Sequence, residues 1–446
     1  MKIVIAGAGE VGVHLAKLLA DQAQDIILID RNKSRLKYAE AHTDVLVSRG
    51  DVTSVGVLEE VGVGNCDLLI AATDSETTNL TVAILGKKLG AGKTIARIAN
   101  TELINNYDKL GFESLGIDSL ISPEKLASEE IAFLVKQSAF TDAFQFEKGK
   151  LNLIGIHLGD TAPIIDKTIR EAADLNPHLN FMAVALHRNG ETVIPRADTK
   201  ILKGDDCYFI AQKEGINRVL NLTGNQSMSF KNVMVLGGSK IGIKTCQALC
   251  KDYKIKLIEQ NREKAFELAD QLEKVLVIQG DARDVELLEE ENIEQMGVFI
   301  AVTGNSETNI MSCLVAKAHG VPKTIALVEN MEYIHLSKTV GIDVFLNKKL
   351  IAASSIFQHV RQGNVISSTM LRGIDAEIYD FEVTRNSKIT QKPLRDLKFP
   401  KSAVVGGAVR NGKTLITMGD FQAKPNDKLI VFCLPESVRK VEAFFK

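Results

Sequence analysis

The chain has 446 residues and a formal net charge of −2, with 45% hydrophobic and 25% charged residues. That is enough apolar material for several packed cores, and it leaves no basic excess to hold nucleic acid or anionic lipid. No stretch approaches the roughly 18 apolar residues that cross a bilayer, and the first residues enter a strand without a leader pattern, so a cytoplasmic chain with no membrane span of its own is expected.

Lys2-Ile3-Val4-Ile5-Ala6 reads as a buried strand running into Gly7-Ala8-Gly9-Glu10-Val11-Gly12. In a Gly-x-Gly-x-x-Gly turn the first glycine permits the tight bend, the second lets backbone approach a pyrophosphate, and the third packs the next helix on the sheet. That helix, amphipathic through Val11, Leu15, Leu18 and Leu19, would aim its free N–H groups and positive dipole end at the phosphates. Asp30 closes the second apolar run, Ile26-Ile27-Leu28-Ile29, at the spacing where a carboxylate accepts from an adenosine ribose. Arg31 follows, but a first-shell carboxylate disfavours a 2′-phosphate. Gly50-Asp51, Ala71-Ala72-Thr73 and Thr78-Asn79 continue the pattern, and Arg97 is a basic candidate near phosphate or, alternatively, a salt-bridge partner at a strand end.

Ser122-Pro123-Glu124 signals an N-cap with proline at the first helical position, opening a helix to about Gln137. Its Leu126, Ile131, Leu134 and Val135 are expected either to form an interaction stripe or to pack on their own sheet. A small α+β module follows. Phe181 to Pro195 alternates around Asn189-Gly190 as a hairpin, and a polar turn at Gly204-Asp205-Asp206 feeds a closing strand.

After a polar linker the whole programme repeats. Asn232 to Leu236 leads into Gly237-Gly238-Ser239-Lys240-Ile241-Gly242, Ile258-Glu259 replaces Ile29-Asp30, and Gly280-Asp281, Ala301-Val302-Thr303 and Thr308-Asn309 fall in step. Ser239 in place of glycine narrows the phosphate approach, although its hydroxyl can donate to an oxygen. The second turn is thus either a second site or a structural repeat. Asn347-Lys348-Lys349 opens a helix to about Gln362 with Leu350, Ile351, Ile356 and Val360, and a second hairpin turns at Asn411-Gly412. The expected architecture is α/β: a tandem duplication of a Rossmann-like parallel-sheet domain, each followed by a small α+β module. The boundaries are 1–138 and 139–222 for the first pair, 223–230 for the linker, and 231–362 and 363–446 for the second.

The six cysteines form no Cys-x-x-Cys pair and the eight histidines no recurring His/Asp or His/Glu arrangement, so no metal site and no catalytic constellation is expected. The rival readings are an NAD-linked oxidoreductase, which needs a proton donor or acceptor beside the nicotinamide, and a soluble nucleotide or redox sensor of another partner.

The glycine turn, the Asp30-Arg31 pair, Gly50-Asp51, Ala71-Ala72-Thr73-Asp74 with Thr78-Asn79, and the two hairpin modules resemble the TrkA family of peripheral subunits of Trk potassium-uptake systems, built from two tandem RCK (KTN) units. The resemblance covers the whole chain. It implies a regulatory subunit rather than an enzyme: a cytoplasmic homotetramer, bound peripherally at the membrane to a potassium channel subunit of the TrkH or TrkG type. It also implies NAD or NADH, with ATP or ADP, as regulatory ligands. By position, the first unit would bind through Gly7, Ala8, Gly9, Glu10, Val11, Gly12, Asp30, Arg31, Asp51, Val52, Ala72, Thr73, Asp74 and Arg97. The second would use Gly237, Gly238, Ser239, Lys240, Ile241, Gly242, Glu259, Asp281 and Thr303, with Gly304 standing where the first has Asp74.

Overall fold

The computed structural model describes residues 1–446 except 21–24, 137–141, 147–148, 177, 225–229, 282, 330–339, 361–364 and 371–373. The linker expected at 223–230 therefore lies largely outside the described residues, as do the side chains of Leu18 and Val360 and the expected helix ends at Gln137 and Gln362.

Strands β1 (Lys2–Ala6), β2 (Asp25–Asp30), β3 (Leu46–Arg49), β4 (Leu68–Ala71), β5 (Lys93–Arg97) and β6 (Ser119–Ile121) pair in the order β3-β2-β1-β4-β5-β6, all parallel. This is the doubly wound order, and its central strands are continuously apolar because helices cover both faces. Ile3 through Ala6 and Leu68 through Ala71 are all buried.

An antiparallel sheet follows: β7 (Asp142–Phe146), β8 (Leu151–His157), β9 (Phe181–Arg188), β10 (Glu191–Val193) and β11 (Asp206–Gln212), in the order β10-β9-β11-β8-β7. The second copy repeats both. Its parallel sheet is β14-β13-β12-β15-β16-β17, from β12 (Asn232–Leu236), β13 (Lys254–Glu259), β14 (Val275–Gln279), β15 (Val298–Ala301), β16 (Lys323–Leu327) and β17 (Val344–Leu346). Its antiparallel sheet is β18-β19-β22-β20-β21, from β18 (Val365–Met370), β19 (Glu377–Glu382), β20 (Ala403–Arg410), β21 (Lys413–Ile416) and β22 (Lys428–Cys433).

Both Asn-Gly hairpins form as the sequence predicts, with Asn189 at φ 52°, Gly190 at 84°, Asn411 at 52° and Gly412 at 74°, the positive pair that a two-residue I′ turn demands. Each module carries the same internal clamp. Arg188 donates from Nε and Nη2 to the buried Asp205, each at 2.7 Å, and Arg410 grips Asp427 likewise at 2.8 and 2.7 Å. The two antiparallel sheets share one core, in which Val184 and Ile210 meet Ile378, Ile430 and Phe432. Gln212 Nε2 also donates to the Thr414 carbonyl at 2.7 Å.

The compact units cut across the order of the chain. One holds residues 1–129 with 347–360, and the other holds 130–346 with 361–446. The helix Lys348–Val360 follows β17 of the second sheet, yet its Ala353 and Ile356 complete the core formed by Ile3, Ile5, Leu15 and Leu28 of the first. In the other unit, the end of the helix Pro123–Lys136 meets the second parallel sheet: Lys323 Nζ donates to the Leu134 carbonyl at 3.0 Å, and Lys136 pairs with Asp252 at 2.9 Å. Of the two readings open for the second stripe, packing on its own sheet or on another surface, Ile356 follows the second, while Leu126 of the first stripe packs on the core of its own sheet. Burial at this junction pulls the Lys323 ammonium down to about 7, against the favourable charge of Asp343.

Candidate nucleotide-binding site

The first glycine turn is built around Gly7, at φ +113°, where a Cβ would lie 2.9 Å from the Thr73 nitrogen. No L side chain fits that conformation and that gap together. Gly12 opens no such freedom, but a Cβ there would run into the Gly7 carbonyl, so this glycine sets how closely the helix Glu10–Ala20 seats on β1. Gly9 is different again. A Cβ there would meet nothing nearer than Asp74 Oδ1 at 3.7 Å and Arg35 Nη1 at 3.8 Å, ordinary contact distances, so no backbone crowds this glycine.

Asp30 is buried, and both its oxygens are engaged by backbone: Ala8 N–H donates to Oδ2 and Asn32 N–H to Oδ1, each at 2.7 Å. Besides any ribose contact, then, it anchors the glycine turn to the end of β2. Val11, Val52 and Ala72 are buried walls, and Arg31 is exposed beside Asp51. The Thr53 amide and hydroxyl both donate to Asp51 Oδ1, at 2.9 and 2.7 Å, and hold its carboxyl below the usual range. Thr73 is committed inward: Asn79 Oδ1 accepts from its amide at 2.8 Å and its hydroxyl at 2.6 Å, while Asn79 Nδ2 donates to the carbonyls of Thr73 and Arg97.

Two guanidinium groups converge over the turn. Arg35 Nη1 lies 3.4 Å from Asp74, and Arg97 stands between Asp74 at 3.9 Å and Glu124 at 3.8 Å. Arg97 thus forms the strand-end ion pairs that are one of its two readings, at long distances. Arg35 was missed from sequence; the available signal was a basic residue in the first turn of the helix after the ribose acid. A third cation, Lys349, was not accessible to local reasoning, because the exchanged helix delivers it to Glu10 at 3.2 Å.

The second turn keeps the frame and loses the mouth. Gly237 sits at φ +99° against Thr303, a Cβ at Gly242 would strike the Gly237 carbonyl, and Glu259 accepts from the amides of Gly238 and Asn261, each at 2.9 Å. Burial works to raise the Glu259 pKa, but those amides and Lys264, 3.3 Å away, outweigh it and the net shift is downward. Thr303 and Asn309 repeat the Thr73 and Asn79 pairing. Ser239, however, is the N-cap of the helix Lys240–Leu249: its Oγ accepts from Gly242 N–H at 3.2 Å and donates to the Val302 carbonyl at 2.7 Å. The hydroxyl expected to greet a phosphate is spent on the protein itself. Asp281 is held by Arg283 at 2.6 Å, which lowers its pKa, and Gln260 Nε2 donates to it at 3.1 Å. Leu327 occupies the strand end where the first copy has Arg97, Gly304 replaces Asp74, Ile241 is buried and Lys240 is exposed.

Among the described residues no group of three His, Cys, Asp or Glu could hold a metal ion. His157 Nδ1 lies 2.7 Å from Asp206 across β8 and β11, but Lys428 occupies the place of Asp206 at the head of β22. His335 lies outside the described residues.

Comparison with known proteins agrees with this duplicated plan. The family model for the TrkA-N domain matches residues 3–123 and 233–348, and that for the TrkA-C domain matches 153–224 and 378–446. The Trk system potassium uptake protein TrkA of Azorhizobium caulinodans is 31% identical over 452 residues, covering 100% of this chain and 99% of the relative. The protein of the same name from Vibrio alginolyticus is 31% identical over 455 residues at the same coverage. Among solved structures, one described as the GsuK channel bound to NAD superposes with a TM-score of 0.65 at 15% identity, over 100% of this chain and 78% of that one; that likeness speaks to the fold.

Proposed function

The chain belongs to the TrkA family, and from that premise we propose that it is a cytoplasmic regulatory subunit of a potassium uptake system, not an enzyme. It binds NAD(H) and adenine nucleotides and gates potassium flux through a membrane-embedded partner of the TrkH or TrkG type. The observation that carries this reading is the first turn: Gly9 uncrowded by backbone, with only the Asp74 and Arg35 side chains at ordinary contact distance, the N-terminus of the helix Glu10–Ala20 behind it, Asp30 at the ribose position, and Arg35 and Arg97 beside it. The names of the full-length relatives supply the potassium system. No helix among the described residues is long and apolar enough to cross a membrane, so the conducting path is assigned to the partner.

The residues suit a pyrophosphate. Gly7, Gly9 and Gly12 give it backbone access, Arg35 and Arg97 give it counter-charge, and Asp30 retains lone pairs for ribose hydroxyls after serving Ala8 and Asn32. A nucleotide gates only by its differential affinity for the conducting and closed arrangements of the assembly, taken here as a homotetramer. A ratio of about tenfold per site, or about 1.4 kcal/mol, multiplies across subunits.

The test is calorimetric titration of the purified protein with NADH, NAD, ATP and ADP, together with current through the reconstituted partner. Gly9→Ala adds a Cβ whose nearest neighbours, Asp74 Oδ1 at 3.7 Å and Arg35 Nη1 at 3.8 Å, lie at ordinary contact distance, so the reading requires weakened binding and nucleotide response with little change in melting temperature. Turnover of NADH, or current indifferent to all four nucleotides, would overturn it.

A further inference from the structure

In this structure two acidic side chains at the mouth of the first turn, Asp74 and Glu10, each hold cations that a phosphate could take over. Asp74 engages Arg35 and Arg97, and Glu10 engages Lys349. Glu10 is the first residue of the helix Glu10–Ala20 and follows Gly9 directly, at the positive end of the dipole. A bare carboxylate there would repel an incoming anion. Lys349 neutralises it, and its side chain is only 15% exposed whereas that of Glu10 is 64% exposed, so the lysine is the partner held in place. The holding is structural. Asn347 is fully buried and its Oδ1 accepts from the amides of Lys349 and Leu350, while Ala353 and Ile356, one and two turns on, are locked into the first core.

We propose that Lys349, carried into the first nucleotide domain by the exchanged helix, is a phosphate-binding and specificity-determining residue of that site, favouring a nucleoside di- or triphosphate over a dinucleotide. This rests on the reading of the first turn as a nucleotide site and says which ligand class it prefers. A terminal phosphate brings about −1.5 to −2 charge and can engage an ammonium beyond the pyrophosphate cradle, where a dinucleotide continues into a neutral ribose instead. An ammonium suits this task as a compact point charge on a flexible stem. The second copy is built otherwise. Lys240 stands in the place of Glu10, and Glu124, at the same position of the other helix opening, stands in the place of Lys349, so the signs at these two positions are reversed in the second copy. Lys349 also follows Leu346, the last residue of β17, by three positions, so a ligand that draws on it acts on the start of a segment continuous with the second half of the chain.

Two substitutions with opposite expected signs test this by calorimetric titration with ATP, ADP and NAD. Lys349→Ala should weaken ATP about 10-fold, the step one charge-assisted hydrogen bond supplies, and weaken NAD by less than about 3-fold. Glu10→Gln, with the lysine intact and its competitor neutralised, should tighten ATP about 3-fold. Melting temperatures without nucleotide separate lost docking of the helix from lost ligand contact. An unchanged ATP affinity in Lys349→Ala, or equal losses for ATP and NAD, overturns the proposal while leaving the nucleotide site standing. A parent chain that binds none of the three overturns both.

Discussion

The two glycine turns share a skeleton and differ in what faces outward. In each, a glycine at positive φ abuts a threonine, an acid at the end of the second strand holds the turn by its amides, and a buried asparagine, Asn79 or Asn309, ties that threonine to the neighbouring strand. Above that level they part. The first turn leaves its helix end open under Arg35 and Arg97, while the second closes its helix with Ser239, draws Lys264 down onto Glu259 and ends its strand in Leu327. The lesson is that a duplicated domain conserves the bonds that make the turn fold separately from the charges that make it bind.

The largest expected effect strikes the shared skeleton. Asn79→Ala and Asn309→Ala each remove a side chain that accepts from a threonine amide and hydroxyl and donates to two carbonyls, so each should cost about 2–4 kcal/mol in urea unfolding; a large cost in one copy alone would break the equivalence. A second measurement exploits Lys323, buried beneath the end of the helix Pro123–Lys136, against Lys93, its exposed counterpart. The Lys323 pKa is depressed from 10.5 to about 7, so the unfolded chain binds the extra proton between those values and stability must rise with pH there. From pH 7 to 8.5 the parent should gain about 1–2 kcal/mol relative to Lys323→Met, and Lys93→Met should show no such difference. Next comes a transplant of the second copy into the first: Arg97→Leu should weaken nucleotide binding about 10-fold, or about 1.4 kcal/mol, read by calorimetry. The smallest effect on stability belongs to the reverse transplant. Ser239→Gly should cost only about 0.3 kcal/mol of helix capping while opening the second turn, and a second binding event in the titration would show that the cap alone had closed it.

The skeleton was legible in the sequence because it is local. Strand, glycine turn, helix and terminal acid lie within thirty residues of one another in each copy, and Asn189-Gly190 and Asn411-Gly412 state their turns in two letters. The repeated Arg188 to Asp205 and Arg410 to Asp427 clamps were equally local and could have been read from their common spacing. What stayed hidden depends on distant chain. A stripe such as Ile351 and Ile356 says that a helix will be buried, never against which of two similar sheets. Ser239 looked like a ligand for phosphate, and only the approach of the Val302 carbonyl decides that its proton goes elsewhere. Lys349 has no signal near Glu10 at all, since 338 positions separate them and only the exchange brings them together.

That exchange also sets a clock for synthesis. The first parallel sheet and its own helices are complete by about residue 129, yet Ala353 and Ile356 belong to the core beneath Ile3, Ile5 and Leu15. At about 5–20 residues per second the ribosome needs roughly 10–45 s to bring them out. Throughout that interval the nascent domain carries an unfilled apolar face, the kind of transiently exposed surface that favours misassociation.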